Sequence, residues 1–193
     1  MSDSPSETIL PGTGGPYPLN ITFTNRGQRF AVRAEEPNGF LLPITNEGLD
    51  LPLGTRRIKI GTPPQGPGDR NAIWNLHMFP DRVKLLCRGG TAFEYSNRGG
   101  SELIVPKLQN QLPLVGGNGD EWVLRATTIN RITYKIQSTR TGKYWSVPKN
   151  SRRRGNTAAD VIQLQPESGN FIQDFQLDLV SFDGINDNRG RNH

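Results

Sequence analysis

Apolar residues in this chain come in short alternating runs rather than at helical spacing. Ile21-Thr-Phe-Thr24, Arg82-Val-Lys-Leu-Leu86 and Thr133-Tyr-Lys-Ile-Gln137 read as strands with one face in a core and one in water. Each is followed by a glycine-containing turn, Asn25-Arg-Gly27, Arg88-Gly-Gly90 or Thr141-Gly142. Glycine supplies the positive φ that a tight hairpin requires. A second strand carrying an aromatic comes next: Arg29-Phe-Ala-Val32, Ala92-Phe-Glu-Tyr95 or Tyr144-Trp-Ser-Val147. A longer connection then leads to a third strand, Arg57-Ile-Lys-Ile60, Leu103-Ile-Val105 or Val161-Ile-Gln-Leu164.

An aromatic-polar-Leu strand closes each unit: Trp74-Asn-Leu76, Trp122-Val-Leu124 and Phe175-Gln-Leu177. The closing triplets recur about 50 residues apart, the mark of an internal repeat. Four strands in each of three units predict twelve short strands and an all-β fold, the β-trefoil, in which six strands form a barrel and three hairpins cap one end. A twelve-strand sandwich would match the strand count without requiring the threefold spacing. The expected layout is one domain over 19–180, with repeats at about 19–78, 79–126 and 130–180, between a flexible segment 1–18 and a flexible tail 181–193. Trp74, Trp122 and Phe175 are expected to fill the barrel, where large rings bury most area; the competing use of such rings is as stacking platforms for sugars or bases.

Composition agrees with this reading and narrows the chemistry. In 193 residues, 33% are hydrophobic, and 22 Gly and 15 Pro favour many turns over long helices. Cys87 is alone, so no internal disulfide can form, and after Val83-Lys-Leu-Leu86 it reads as a buried small apolar residue. Only His77 and His193 are present, and no metal-ligand spacing occurs, so no metal or cofactor is expected. No Ser/His/Asp, Cys/His or phosphate-loop pattern stands out, and Glu35-Glu36 reads as a solvated loop pair, so the chain is expected not to be an enzyme. The N-terminal MSDSPSETILPGTGG has no basic and apolar leader, and no run of about 18 apolar residues exists. The expectation is a monomeric cytoplasmic protein without a membrane partner.

A packed barrel leaves function to the loops. The Gln-x-Trp signature of ricin-B-type lectins is present only in part: the triplets ending on the anchors are Ala72-Ile-Trp74, Asp120-Glu-Trp122 and Gln173-Asp-Phe175. That disfavours this lectin class and leaves other glycan-binding trefoils open. Phe30-Ala-Val-Arg-Ala34 with Phe40-Leu-Leu-Pro43, Trp74-Asn-Leu76 with Arg88-Gly-Gly-Thr-Ala92, Asp120-Glu-Trp-Val-Leu124, Tyr134-Lys-Ile136 and Trp145-Ser-Val-Pro148 resemble the mushroom (basidiomycete) β-trefoil serine-protease inhibitors. The resemblance runs from about residue 19 to 180. It implies a trefoil, a trypsin-like serine protease as partner, an exposed reactive loop and a role in fungal defence. Carried over by resemblance, one reactive position falls on Asn38, between Pro37 and Gly39 in the connection from the second to the third strand. A Lys-bearing connection between the last two strands is the alternative in the family, and Pro166-Glu-Ser-Gly-Asn-Phe-Ile-Gln-Asp174 has no cation to offer there.

The stretch Pro148-Lys-Asn-Ser-Arg-Arg-Arg-Gly-Asn-Thr157 occupies the second-to-third connection of the last repeat. It gathers Lys149, Arg152, Arg153 and Arg154 without an anion in a chain of net charge +5. Three readings stay open: a solvated connector, which is the plainest; bait for the acidic specificity pocket of a trypsin-like protease; or a phosphate contact for nucleic acid. Arg56, Arg57, Arg88, Arg98, Arg189 and Arg191 could enlarge a nucleic-acid patch if they share a face.

Overall fold

The computed structural model describes residues 19–25, 30–34, 43–44, 49–50, 57–66, 68–88, 90–96, 102–107, 119–127, 132–149 and 161–180. Among them there is no helix. The strands are β1 (Leu19–Thr24), β2 (Ala31–Ala34), β3 (Pro43–Ile44), β4 (Leu49–Asp50), β5 (Ile58–Gly61), β6 (Trp74–Met78), β7 (Val83–Cys87) and β8 (Gly90–Ser96). They continue with β9 (Glu102–Lys107), β10 (Trp122–Ala126), β11 (Thr133–Ser138), β12 (Tyr144–Pro148), β13 (Gln163–Gln165), β14 (Phe171–Ile172) and β15 (Phe175–Leu179).

Six of these strands close on themselves. β1 pairs with β6, β6 with β7, β7 with β10, β10 with β11, β11 with β15, and β15 returns to β1, every pair antiparallel. A closed ring has no exposed barrel edge. The registers repeat with the chain: Trp74 lies opposite Ile21, Trp122 opposite Val83 and Phe175 opposite Tyr134. Between units, Leu76 lies opposite Leu85, Leu124 opposite Ile136 and Leu177 opposite Phe23. The aromatic-polar-Leu triplets therefore mark equivalent positions.

The second and third strands of each unit form the hairpins β2–β5, β8–β9 and β12–β13. Their third strands meet one another: Lys59 bridges Val161, the Ile162 N–H donates to the Ile58 carbonyl at 2.8 Å, and Gln163 lies opposite Leu103. This cap and barrel follow the trefoil plan, but the expected twelve strands are exceeded. β3 and β4 form a separate two-stranded hairpin inside the β2–β5 connection, and β14 is an added edge on β12. All three extra strands are two residues long, too short to leave an alternating pattern.

Trp74, Trp122, Phe175 and Trp145 have no exposed surface. Trp145 sits among Phe23, Trp74 and Trp122, with ring centroids 6.3, 5.6 and 5.3 Å away in edge-to-face arrangements. The stacking-platform use is thus closed to these rings. Cys87 is only half buried rather than fully so, at the edge of the core, with its Sγ 3.7 Å from the Gly90 carbonyl. Gly90 and Gly142, two of the predicted turn glycines, have φ of 130° and 74°.

Candidate functional site

The connections from second to third strand all leave the cap. Their inner ends are drawn together by the Lys59–Val161 bridge and the Gln163–Leu103 pair. The first runs from Ala34 to Ile58 and the third from Pro148 to Gln163, so the two connections that carry the candidate residues rise from one end of the molecule. Pro37, Asn38, Gly39, Arg152, Arg153 and Arg154 lie outside the described residues. Lys149 is described, and is exposed in the turn that follows β12.

The base of the basic connection is held on both sides. On the outgoing side Val147 lies opposite Ile172 and Pro148 opposite Phe171, and the Lys149 N–H donates to the Asn170 carbonyl at 3.3 Å. On the returning side Val161 and Ile162 are buried, and Ile162 is tied to Ile58. A protease that reads an extended chain through main-chain hydrogen bonds needs free N–H and C=O groups at the position it reads. The Lys149 N–H is already engaged. Lys149 is therefore the foot of the connection, and Arg152, Arg153 and Arg154 lie beyond that foot in sequence.

The first connection leaves an equally firm edge. Ala34 and Ile58, paired with each other, are 1% and 0% exposed, and the Ala34 N–H donates to the Asn71 carbonyl at 2.8 Å. Next to them Arg33 donates to the Thr62 carbonyl at 2.8 Å and to Asp69 Oδ1 at 2.9 Å. A Cβ on Gly61 would lie 2.6 Å from Arg33 Cδ, so the missing side chain makes room for this arginine.

Several cations elsewhere among the described residues are held in ion pairs. Arg82 meets Asp81 at 2.8 Å and Glu121 at 3.1 Å, Lys84 meets Asp120 at 3.1 Å, Lys135 meets Asp174 at 2.9 Å, and Arg140 meets the buried Glu94 at 3.0 Å. The hydrogen bond that Arg82 donates to Asp81, helped by the nearby Glu121 charge, raises the pKa of its guanidinium above the ordinary value. Arg57, which could have extended a nucleic-acid patch, is 3% exposed. Arg88 is exposed in the β7–β8 turn, and Arg56, Arg98, Arg189 and Arg191 lie outside the described residues.

Sequence reading missed what Gln173 does. This lone Gln of the closing triplets is 2% exposed, and its Nε2 donates to Ser146 Oγ at 2.9 Å and to the Pro166 carbonyl at 2.8 Å. Its Oε1 accepts the Ser168 N–H at 3.2 Å. Buried in this way, it is structural and not offered to a ligand.

No protein-family model matches the chain, and no curated protein matches it. Solved structures do. A proteinase inhibitor from Coprinopsis cinerea aligns at TM-score 0.51 and 16% identity, over 86% of this chain and 100% of the inhibitor. The Polyporus squamosus lectin, solved with a Neu5Aca2-6Galb1-4GlcNAc epitope, aligns at TM-score 0.51 and 14% identity over 82% of this chain, which spans 48% of the lectin. A Culex salivary protein of the Cysteine and Tryptophan-Rich family aligns at TM-score 0.54 and 12% identity, over 83% of this chain and 92% of that one. At such identities the likeness is one of fold: the chain shares its architecture with an inhibitor, a lectin and a salivary protein.

Proposed function

We propose that this chain is a non-enzymatic β-trefoil inhibitor of trypsin-like serine proteases that acts through the β12–β13 connection. The observation that carries the reading is the fixed base of an arginine-rich connection: β12 is paired up to Pro148, Lys149 is tied to Asn170, and Val161 and Ile162 are anchored to β5. An inhibitor must place a cation in the acidic specificity pocket, where charge-assisted hydrogen bonds hold it. It must also keep the two ends of the attacked segment in place, so that the loop is not pulled apart as a substrate. Anchored ends supply that constraint, and they lower the ordering cost of binding. The fold shared with the Coprinopsis cinerea inhibitor is in keeping with the reading. A cytoplasmic, defensive role belongs to the same proposal.

The test is inhibition of trypsin by the wild type, Arg153→Ala and Asn38→Ala. Loss of inhibition in Arg153→Ala with retention in Asn38→Ala assigns the basic connection; the converse moves the site to the first connection. The lectin fold likeness gives the second reading, glycan binding. A glycan-array signal competed by free sugar, together with no trypsin inhibition by the wild type, would replace the inhibitor reading with it.

A further inference from the structure

We infer that Gln173 is the positioning residue for the basic connection, fixing the backbone of Lys149 through the clamp formed by residues 166–173. The inference rests on the inhibitor reading for its purpose, and on the following geometry for its substance.

In all three units the connection between third and fourth strands returns to the second strand. In the first, Asn71 accepts the Ala34 N–H; in the second, Gly119 accepts the Glu94 N–H at 2.9 Å. In the third, Val147 lies opposite Ile172, three residues before the closing aromatic, as Asn71 and Gly119 are before theirs. Among the described residues the third unit alone goes further, pairing Pro148 with Phe171 and Lys149 with Asn170. The added contacts end at Lys149, three residues before Arg152 in sequence.

A two-residue strand cannot hold this edge alone. The side chain that supports it is Gln173, which ties the start of the segment at Pro166, its turn at Ser168 and the neighbouring strand at Ser146. The Ser146 hydroxyl in turn donates to the Tyr144 carbonyl at 2.8 Å. Without the amide the buried Ser146 hydroxyl and the backbone of Pro166 and Ser168 lose these bonds together, and the clamp loses its side-chain tie to β12. The same segment is the one that carries no cation of its own. It holds a neighbouring connection instead of presenting a residue.

The experiment compares Gln173→Leu and Ser146→Ala with the distant core variant Ile136→Val, in the full-length chain under native conditions. Amide hydrogen exchange at Lys149 should accelerate roughly tenfold in Gln173→Leu and less in Ser146→Ala, and stay unchanged in Ile136→Val. Trypsin cutting after residues 149–154 should rise in the same order relative to cutting elsewhere. Unchanged exchange at Lys149 in both clamp variants, or equal acceleration by Ile136→Val, would overturn the inference. Because exchange is read without a protease, a wild type that fails to inhibit trypsin would refute the proposed function and leave this result standing.

Discussion

The first and third repeats solve the same packing problem with different residues. In the first, a small second-strand residue, Val32, sits beneath a large closing ring, Trp74, whose indole N–H donates to the Val32 carbonyl at 2.9 Å. The second repeat copies this with Ala92 and Trp122 at 3.1 Å. The third moves its tryptophan to the second strand, as Trp145, and closes with Phe175, which has no N–H. Both positions are large in this repeat and the bond is lost: the buried Trp145 Nε1 has no hydrogen-bond partner among the described residues. In exchange the Trp145 ring reaches Phe23, Trp74 and Trp122 and joins the repeats at one point. The repeats differ again in how they secure the return to the second strand, by the charged Arg33–Asp69 contact in the first and by the neutral Gln173 network in the third. Threefold symmetry therefore constrains the positions, while the size and chemistry of the residue at each one are free to vary.

The largest break in this comparison is expected at Trp145. Trp145→Ala should cost about 3–5 kcal/mol in denaturant unfolding, because it opens a cavity where three aromatic contacts meet. Val32→Ala, at the equivalent position of the first repeat, should cost clearly less. Gln173→Leu should cost about 1–3 kcal/mol, from the lost bonds to the buried Ser146 hydroxyl and to the Pro166 and Ser168 backbone, and the loss should not depend on salt. Asp69→Asn should cost at most about 1 kcal/mol, and the difference from wild type should shrink as salt rises from low ionic strength to 1 M. A salt-sensitive Gln173 variant beside a salt-insensitive Asp69 variant would reverse the contrast between the two repeats.

The smallest expected effect is a pH slope from His77. Burial first, and the ammonium of its cross-strand partner Lys84 second, lower its pKa from the ordinary 6.5. The unfolded chain then binds a proton before the folded one does, so stability should fall as pH drops below 6.5 toward the lower folded value. His77→Gln should remove that part of the slope, as read by thermal unfolding between pH 7.5 and 5.

Much of this architecture was legible because the determinants are local. Alternation, the turn glycines Gly90 and Gly142, and the triplets at Trp74, Trp122 and Phe175 each specify a strand or hairpin within a few residues. The two-residue strands β3, β4 and β14 were not legible, because pairing this short leaves no period. The central place of Trp145 could have been found: a tryptophan where its counterparts are Val32 and Ala92, beside a closing Phe, is a size exchange visible in the aligned repeats. The Arg82–Glu121 and Lys84–Asp120 pairs join residues far apart in sequence within the second repeat, and Arg140–Glu94 crosses repeats, neither of which spacing reports. Of the candidate site, the sequence identified the cationic connection and its equivalence to the Asn38 connection. The engaged amide of Lys149 and the clamp beside it required the fold.

The most direct test of the account is a titration of a fixed amount of active trypsin with the intact chain, followed by mass analysis of the mixture. The account predicts that activity falls linearly to zero at one equivalent, with the chain recovered intact or cut only after residues 152–154. Full residual trypsin activity with steady digestion at the arginines would contradict it.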